Sequence, residues 1–581
     1  MKFGQLLSVV LIAGLVGVAT NVGYTYFTSD KPHPDEVKFN SFLDENWQDT
    51  MEKSPLFASL LGDKRYDDKI SSNSIDDFIA ESEYERYVLD VLNEINPNNL
   101  SEENQLNYRL LKSDYEINLE GRNYPGYYMR LNQRGGVQDY YLYGNRLNFV
   151  DLQSYKNWFE RVKGYTQNVR NSLEINREGL ELGYTQPKLV TRGVSAQIGA
   201  MLERDLEDHP YYKIFKSVGE VASAQEAEEL QNEVKDFIQN VLNPTYQELY
   251  DFLVNEYLPK SRDSIGISDV PNGKEWYEYL ARYHTTTDLT PDEIHEIGLR
   301  EVAKIRAEME GIIEQVGWDG DFNSFLQYLR TDPRFYFETG EELLQAYRAM
   351  SKEIDAYMPT LFNKLPRAPY GVIPIPMESA PFTTTAYYNA PSEGRPGYYY
   401  ANLYMPEVRP KYEIPVLSVH EAVPGHHHQI SLAQEMENVP NFRKYLSITA
   451  FVEGWGLYSE QLGESMGIYD DPYDKFGQLT YDMWRAVRLV VDTGMHYKGW
   501  SRDDAVNLFL ENTAKTEQDI NNEVDRYIAW PGQALAYKIG QLKIMELRDK
   551  SKEALGEDFD IKDFHDHILS FGSIPLSILE E

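Results

Sequence analysis

The sequence contains no cysteine and has few basic residues for its many acidic ones, and both deficits exclude classes of protein. Without cysteine the chain cannot form disulfides, thiolate nucleophiles, cysteine-ligated zinc sites or iron–sulfur clusters. Its 56 Lys and Arg residues against 93 Asp and Glu residues give a formal net charge of −37, which repels phosphate backbones. We therefore expect no nucleic-acid partner, and any bound metal ion must be held by His, Asp or Glu.

Glycine-rich phosphate loops and parallel-strand alternation are also missing, whereas long segments with helical periodicity are frequent. The clearest begins at Thr290, where Pro291 and Glu293 complete a capping box for a long helix. Similar periodic segments cover residues 224–257, 476–497 and 533–550. No repeat of fixed period and no low-complexity linker divides the chain. The sequence therefore predicts a mainly α fold in one large catalytic domain, residues 30–581, with a metal-site core at about 380–540.

The first residues have the composition of an export segment. No charged residue lies between Lys2 and Asp30, and an apolar run from Leu6 to Ala19 ends in small residues. Such a run is typical of a signal peptide, although the uncharged stretch is also long enough for a membrane span. We expect residues 1–29 to be either a signal peptide or an N-terminal membrane anchor. The rest of the chain then works outside the cytoplasm, free in the periplasm or anchored facing it.

Residues 382–404 form a distinct segment of two Tyr- and Thr-rich arms around a Pro-Ser-Glu-Gly-Arg-Pro-Gly turn. The arms favour β-strands and the turn residues favour a hairpin. This hairpin is either an ordinary surface feature or an exposed edge to which an extended peptide adds as a further strand. Tyr388 and Arg395 within it are candidates for holding the backbone or the terminal carboxylate of such a peptide.

The segment that follows the hairpin carries the main metal signal. His420 and Glu421 begin like the helical His-Glu-x-x-His zinc motif, but Pro424 stands where the second histidine is expected. The next histidine, His426, would point about 240° away from His420 on a straight helix. Pro424 has no amide hydrogen and its ring clashes with the carbonyl of His420, while Gly425 tolerates an irregular backbone. We expect the helix to bulge or break there, so that the two histidines converge on one ion.

The neighbours of His426 leave alternatives open. His427 is the second choice for the ligand, although an unbroken helix would place it about 10 Å along the axis from His420. His428 is expected on the helix surface.

The third ligand is expected on a later helix. Glu453 lies 27 residues after His426, which is enough chain to turn and run back. Small residues on each side of Trp455 would let this helix pack closely against the histidine helix. Glu460 lies seven residues after Glu453, on nearly the same helix face, and is a candidate acceptor that orients a ligand imidazole.

Four segments in this order resemble the bacterial family of domain-of-unknown-function 885: His420-Glu-Ala-Val-Pro-Gly-His-His, Glu453-Gly-Trp, Arg485-Ala-Val-Arg-Leu-Val-Val-Asp-Thr-Gly-Met-His496 and Arg526-Tyr-Ile-Ala-Trp-Pro-Gly-Gln-Ala. That resemblance implies a mostly helical fold similar to gluzincin-type zinc metallopeptidases. It also implies two helical lobes around a deep channel, with a small hairpin or sheet beside the active-site helix.

Position within these motifs suggests further roles. His496 and Tyr527 are candidates for donating hydrogen bonds to an oxyanion. Arg485, Arg488 and Arg526 are candidates for binding a substrate carboxylate through bidentate contacts.

The expected function is zinc-dependent hydrolysis of peptide bonds in oligopeptides or short peptides. One Zn²⁺ held by His420, His426 and Glu453 would make hydroxide available near neutral pH, and Glu421 would be the general base. Two alternatives remain: a non-haem iron oxygenase that uses the same two histidines and carboxylate, and an exported peptide-binding protein without catalysis. A peptide substrate is the expected partner. The N-terminal segment can also tether the protein to a membrane, and the sequence is compatible with a homodimer.

Overall fold

The computed structural model describes residues 32–377, 380–392 and 394–581. The expected export segment, residues 1–29, lies outside these ranges. Within the described ranges, no helix is both long enough and apolar enough to cross a membrane.

The chain begins with helices that share a small apolar core around Phe39, Leu92 and Tyr108. These helices are α1 (Pro34–Lys53), α2 (Pro55–Leu60), α3 (Ile75–Asn93) and α4 (Glu102–Gly121).

The next helices enclose a second core, rich in aromatic rings, that includes Trp158, Phe215 and Tyr246. They are α5 (Tyr141–Gly144), α6 (Leu152–Leu182), α7 (Lys188–Leu202), α8 (Pro210–Lys213), α9 (Ala224–Phe237), α10 (Asn243–Phe252) and α11 (Leu258–Lys260). Two π-helical segments, Ile238–Leu242 and Leu253–Tyr257, connect α9, α10 and α11 without a break. The long periodic segment expected over residues 224–257 is therefore confirmed.

The remaining elements build the largest core, which joins residues from Ile305 to Ile574. The helices of this region before the sheet are α12 (Gly273–Thr285), whose rings pack in a separate core with Leu489 and Leu535, and α13 (Pro291–Gln315), α14 (Phe322–Thr331), α15 (Gly340–Asp355) and α16 (Met358–Leu361). The strands are β1 (Tyr370–Pro374), β2 (Ala386–Asn389) and β3 (Gly397–Ala401). The helices after them are α17 (Ile414–Glu421), α18 (His426–Gln434), α19 (Asn441–Tyr445), α20 (Thr449–Leu462), α21 (Pro472–Tyr497), α22 (Arg502–Asn512), α23 (Glu517–Ala529), α24 (Ala536–Leu555), α25 (Ile561–Ser570) and α26 (Leu576–Leu579).

Local sequence signals account for many of these boundaries. Helix α13 begins with the expected capping box, because Thr290 accepts from the backbone of Glu293 and the Glu293 side chain accepts from the Thr290 backbone. Helix α6 starts at a similar reciprocal pair and ends at Gly183, whose φ of 86° is in the left-handed region that favours glycine. Helices make up most of the described chain, so the mainly α class is confirmed.

The small sheet has the order β1-β3-β2, with β3 parallel to β1 and antiparallel to β2. The predicted hairpin is confirmed as β2 and β3, with Tyr388 opposite Tyr399. The parallel strand β1 was not expected from the sequence. Because β2 lies at the sheet edge and packs against α17, the sheet borders the helix that carries His420 and Glu421.

Two glycines set the distance between α20 and α24. A Cβ on Gly540 would lie 1.9 Å from the carbonyl oxygen of Ala450 and 2.7 Å from the Cα of Gly454. No side chain fits at that separation, so the backbones of the two helices touch. This contact positions α20, the helix that contains the Glu453-Gly-Trp segment.

Replacing Gly540 with alanine should therefore lower the free energy of unfolding by about 1–3 kcal/mol, because the added methyl group forces α20 and α24 apart. Gly311→Ala is the matched control: Gly311 is an exposed residue of α13 with nothing within 4 Å of an added Cβ. That change should raise stability by about 0.4–1 kcal/mol. Urea unfolding of both variants decides; equal effects at the two positions would contradict the close contact.

Candidate metal centre

The predicted helix irregularity is a complete break. Helix α17 ends at Glu421 and α18 begins at His426, with a cis peptide bond between Val423 and Pro424. A Cβ at Gly425 would lie 2.0 Å from the carbonyl oxygen of His420, so only glycine fits there. His420 and His426 are therefore carried by two successive helices, which removes the six-residue spacing as an obstacle.

The break brings three donor atoms together. The Nε2 atoms of His420 and His426 lie 3.6 Å and 3.4 Å from the Oε2 atom of Glu453. These distances are too long for good hydrogen bonds, and the three ligand atoms all lie within 4.8 Å of one another. A tetrahedral zinc ion with bonds of about 2.0–2.1 Å separates its ligand atoms by about 3.3–3.4 Å. The donor set therefore fits a single zinc-sized ion.

A carboxylate behind His420 fixes the orientation of its ring. Oε1 of Glu460 accepts from Nδ1 of His420 at 2.8 Å, as the spacing from Glu453 suggested, and this leaves Nε2 to face the cluster. The same oxygen lies 3.2 Å from Nη2 of Arg485. Burial lowers the pKa of His420, but the carboxylates of Glu453 and Glu460 outweigh burial and raise it to about 9. The two carboxylates thus favour a positive charge at this position.

The residues after Glu453 hold the centre together. Trp455 donates from Nε1 to the carbonyl of Pro424 at 2.8 Å, inside the break. A Cβ at Gly456 would lie 2.8 Å from Cε1 of His420, so this glycine packs on the ligand ring, as expected for a small residue beside Trp455. Gly454 packs instead on α24.

Glu421 has the environment of a general base. Its side chain is buried at 7% exposure and makes no hydrogen bond to any residue that the structure describes. Burial raises its pKa, and the nearby His420 and His426 oppose that shift. A buried carboxylate with a raised pKa beside a donor cluster is suited to take and return a proton.

His427 is bonded elsewhere, so the structure brings His426 and not His427 to the cluster. Its Nε2 donates to the carbonyl of Ala368 at 3.0 Å, and its Nδ1 accepts from the Tyr388 hydroxyl at 2.8 Å. Burial lowers the pKa of His427 to about 4. His428 is fully buried with its ring 4.2 Å from that of Phe362, so its expected surface position is wrong.

The two hairpin residues have different surroundings. Tyr388 is bonded to His427 and therefore ties β2 to α18. Arg395 lies in the turn, where Nη1 donates to the carbonyl of Arg146 at 2.7 Å. Neither residue touches the three donor atoms.

The three motif arginines are paired within the chain. Arg485 faces Glu460, whereas Nη2 of Arg488 and Nη2 of Arg526 lie 3.1 Å and 3.0 Å from Oε2 of Glu523. Burial raises the pKa of Glu523, but the surrounding arginines outweigh it and bring the pKa to about 2. Each guanidinium thus has a carboxylate partner inside the protein, while Nε of Arg485 and Nη1 of Arg488 have no partner among the described residues, and the expected role of the three arginines as substrate-carboxylate ligands stays a prediction.

His496 and Tyr527 are also satisfied inside the protein. Nδ1 of His496 accepts from the backbone N–H of Ile267 at 3.1 Å, and its Nε2 donates to the carbonyl of Tyr527 at 2.9 Å. The Tyr527 hydroxyl accepts from Trp484 and Arg488 and donates to Glu523 at 3.0 Å. The donors of both side chains are used within the protein, and their expected role at an oxyanion stays a prediction.

Tyr537 is a residue that sequence reasoning missed. It lies one turn before Gly540 on α24, and the ring is 4.5 Å from the Arg488 guanidinium. Burial and the nearby Glu453 raise the pKa of Tyr537, while Arg526 and Arg488 oppose the shift. Its hydroxyl therefore stays protonated near neutral pH. The sequence signal for Tyr537 is its position three residues before Gly540. This spacing points to the site only once the contact between α20 and α24 is known.

The four sequence segments thus meet at one place, and the family comparison agrees with them. The profile of a bacterial protein family of unknown function, DUF885, matches residues 55–581. The chain belongs to the DUF885 family. No functionally curated protein matches this DUF885 chain.

Solved structures share the fold. A candidate lipoprotein from Colwellia psychrerythraea has a TM-score of 0.87 and 26% sequence identity, and the alignment covers 94% of this chain and 98% of that one. A candidate lipoprotein of unknown function from Shewanella oneidensis has a TM-score of 0.72 and 17% identity over 93% of this chain and 98% of that one. The second similarity shows the fold alone.

The ligand assignment predicts which variants of this DUF885 protein lose metal. His426→Ala and Glu453→Ala should each lose most of the bound zinc after dialysis, because each removes one of three donors. His427→Ala is the matched control from the same helix and should retain zinc, since both of its ring nitrogens are bonded elsewhere. Elemental analysis of the folded proteins decides. Retention by His426→Ala with loss by His427→Ala would reverse the assignment.

A buried carboxyl group near the centre predicts a pH effect on stability. Asp492 accepts from the Tyr277 hydroxyl at 2.6 Å and from the Gly532 backbone at 2.9 Å, and burial raises its pKa to about 7. An unfolded carboxyl has a pKa of about 3.9, so ionisation opposes folding as the pH rises from about 4 to about 7. Asp492→Asn should therefore remove a pH-dependent loss on the order of 3–4 kcal/mol.

Urea unfolding at pH 5 and pH 8, in the presence of a chelator, captures about 2–3 kcal/mol of this loss, because the unfolded carboxyl is already mostly ionised at pH 5. Tyr277→Phe is the control, because it removes one hydrogen bond but keeps the carboxyl group and so keeps the pH dependence. An unchanged pH dependence in Asp492→Asn would mean that another group titrates.

Proposed function

We propose that this DUF885 protein is a zinc-dependent hydrolase of peptide bonds that acts on oligopeptides or short peptides outside the cytoplasm. The observation that carries the proposal is the convergence of His420 Nε2, His426 Nε2 and Glu453 Oε2 at spacings that suit zinc, beside a buried carboxylate without a partner. A structural zinc ion is normally enclosed by four protein ligands, whereas the described residues offer three. Three ligands and one open position are typical of a catalytic site.

Zinc in this donor set supplies a Lewis acid that polarises a carbonyl oxygen and makes hydroxide available near neutral pH. Glu421 accepts the proton of the attacking water and donates it to the departing amine nitrogen. Glu460 keeps His420 in the tautomer whose Nε2 faces the ion. Tyr537 is a further candidate for the role expected of His496 and Tyr527, because Glu453 helps to keep its hydroxyl protonated and a protonated hydroxyl can donate to a developing oxyanion.

The edge strand supports a peptide as substrate. The edge of β2 that does not face β3 can pair with an extended chain, and β2 packs against α17 beside the metal centre. The hydrogen bond from Tyr388 to His427 fixes the position of this strand relative to α18. A peptide added to β2 would therefore run past the Glu421 carboxylate.

Location outside the cytoplasm has support from sequence and similarity. The uncharged N-terminal stretch has the composition of an export segment, and the relative from Colwellia psychrerythraea is described as a candidate lipoprotein. A membrane tether through that stretch would keep the catalytic region on the periplasmic side. The gluzincin-like arrangement of two lobes around a channel belongs to the same proposal.

The decisive experiment incubates zinc-loaded protein with a mixed peptide library, with and without a chelator, and identifies the products by mass spectrometry. Glu421→Gln should lower kcat by about 100-fold or more while zinc content stays unchanged. Glu437→Gln, an exposed position, is the matched control and should have full activity.

Other outcomes identify other functions. Absence of cleavage, or cleavage that the chelator does not affect, would overturn the proposal. Turnover that requires iron and dioxygen would indicate an oxygenase. Peptide binding that is indifferent to Glu421→Gln, without products, would indicate a binding protein.

A further inference from the structure

A cavity of about 370 Å³ lies beside the last of the four family segments. Its walls come from α12 and from the residues that follow α23, and they are mainly apolar. The apolar side chains that define it are Met129, Trp276, Leu280, Ile528, Trp530 and Pro531. Trp530 is 37% exposed, which is unusual for so large an apolar ring. The volume is in the range that takes a small ligand or one residue of a peptide.

One wall of this cavity carries a guanidinium group with a free donor edge. Nε of Arg262 donates to the carbonyl of Thr185 at 2.9 Å, and Nη1 donates to the carbonyls of Ser264 and Gly266 at 2.8 Å and 2.6 Å. Nη2 bonds to none of the residues that the structure describes, and no carboxylate among them lies within ion-pair distance. Burial lowers the pKa of Arg262 to about 10, and Asp269 opposes that shift only in part.

A second polar group in the cavity also has no partner. His284 lines the cavity, and its buried Nδ1 atom makes no hydrogen bond in the described structure. Burial lowers the pKa of His284 to about 4, so the ring is neutral near pH 7 and Arg262 alone supplies positive charge at this wall. Buried polar atoms are normally satisfied, so the Nδ1 atom of His284 indicates a ligand with a polar atom at this wall, next to the available Nη2 donor of Arg262.

Contacts connect this cavity to the metal centre. Gln533 lines the cavity and its Oε1 accepts from Nη1 of Arg526 at 2.8 Å. Gln533 and Glu453 both affect the pKa of Tyr537, so Tyr537 lies between this cavity wall and one of the metal ligands.

We propose that this cavity binds the C-terminal residue of the peptide substrate, with its apolar side chain against Trp276 and Leu280 and its carboxylate on Nη2 of Arg262. The inference rests on the proposed peptidase function and adds the substrate class to it: peptides with a free, apolar C-terminal residue, cut near that end. Apolar walls match the side chain, and the only unpaired cation of the cavity wall matches a single negative charge.

Direct binding tests the site without relying on turnover. Calorimetric titration of the full chain with N-acetylphenylalanine should show saturable binding, and N-acetylphenylalaninamide should bind at least about tenfold more weakly because it lacks the charge. Arg262→Met should cause a loss of the same size. Leu280→Trp, which fills the cavity, should abolish binding.

Matched controls separate binding from structural damage. Arg330→Met removes a guanidinium that is likewise bonded to three backbone carbonyls, at a position outside the cavity. Leu299→Trp adds the same bulk at an exposed position. Both controls should bind N-acetylphenylalanine as the unmodified protein does. Equal affinity for the acid and the amide, or full affinity in Arg262→Met, would overturn the inference.

A peptide experiment distinguishes failure of this site from failure of the proposed function. Hydrolysis of a peptide ending in phenylalanine should fall at least about tenfold in kcat/KM when its C terminus is amidated, and Arg262→Met should abolish the difference. Cleavage that is indifferent to amidation would overturn the site but leave the peptidase function standing. Binding of N-acetylphenylalanine without any cleavage would overturn the peptidase function and leave a carboxylate-binding cavity.

Discussion

The indole of Trp455 donates a 2.8 Å hydrogen bond to the carbonyl of Pro424, in the middle of the break between α17 and α18. Without that bond the carbonyl would be buried and unpaired, at a cost of about 1–3 kcal/mol. Helix α20, which carries Trp455, also carries Glu453 two residues earlier. The indole donor and the carboxylate ligand therefore have a fixed relative position. The spacing of the two histidines and the position of the third donor therefore depend on the same contact. Gly425 and Gly456 allow it, because a Cβ at either would collide with His420.

Buried charge pairs fix the surroundings of this contact. Arg485 meets Glu460 behind the metal ligand His420, and Glu523 lies between Arg488 and Arg526. Removing one partner of such a pair leaves an uncompensated buried charge, which typically costs about 3–5 kcal/mol. These networks hold α21 and α23 against α20. Arg262, by contrast, is bonded to carbonyls only and lines a cavity, so it has no internal carboxylate to neutralise its charge.

Several features of the site follow from local sequence. The capping box at Thr290, the β2–β3 hairpin and the disruption at Pro424 each depend on residues close together in the chain, so propensity and backbone chemistry predict them. The candidates His426 and Glu453 required one further assumption, that α20 returns to α17. The sequence offered a reason for that return in the small residues beside Trp455, although only Gly456 packs on the ligand ring and Gly454 packs on α24.

The sequence by itself determined the residue types available for metal binding, the helical class and the irregularity that lets two histidines meet. Only the tertiary structure decided which polar side chains remain free. His496 and Tyr527 have suitable donors, yet the carbonyl of Tyr527 accepts from His496 and the carboxylate of Glu523 accepts from Tyr527, while the backbone N–H of the distant Ile267 donates to the other ring nitrogen of His496. Tyr537 and Arg262 gain their positions from helix contacts that no local pattern encodes. The physical reason is that hydrogen-bond satisfaction depends on partners brought from far along the chain, whereas helix formation depends on neighbours within a few residues.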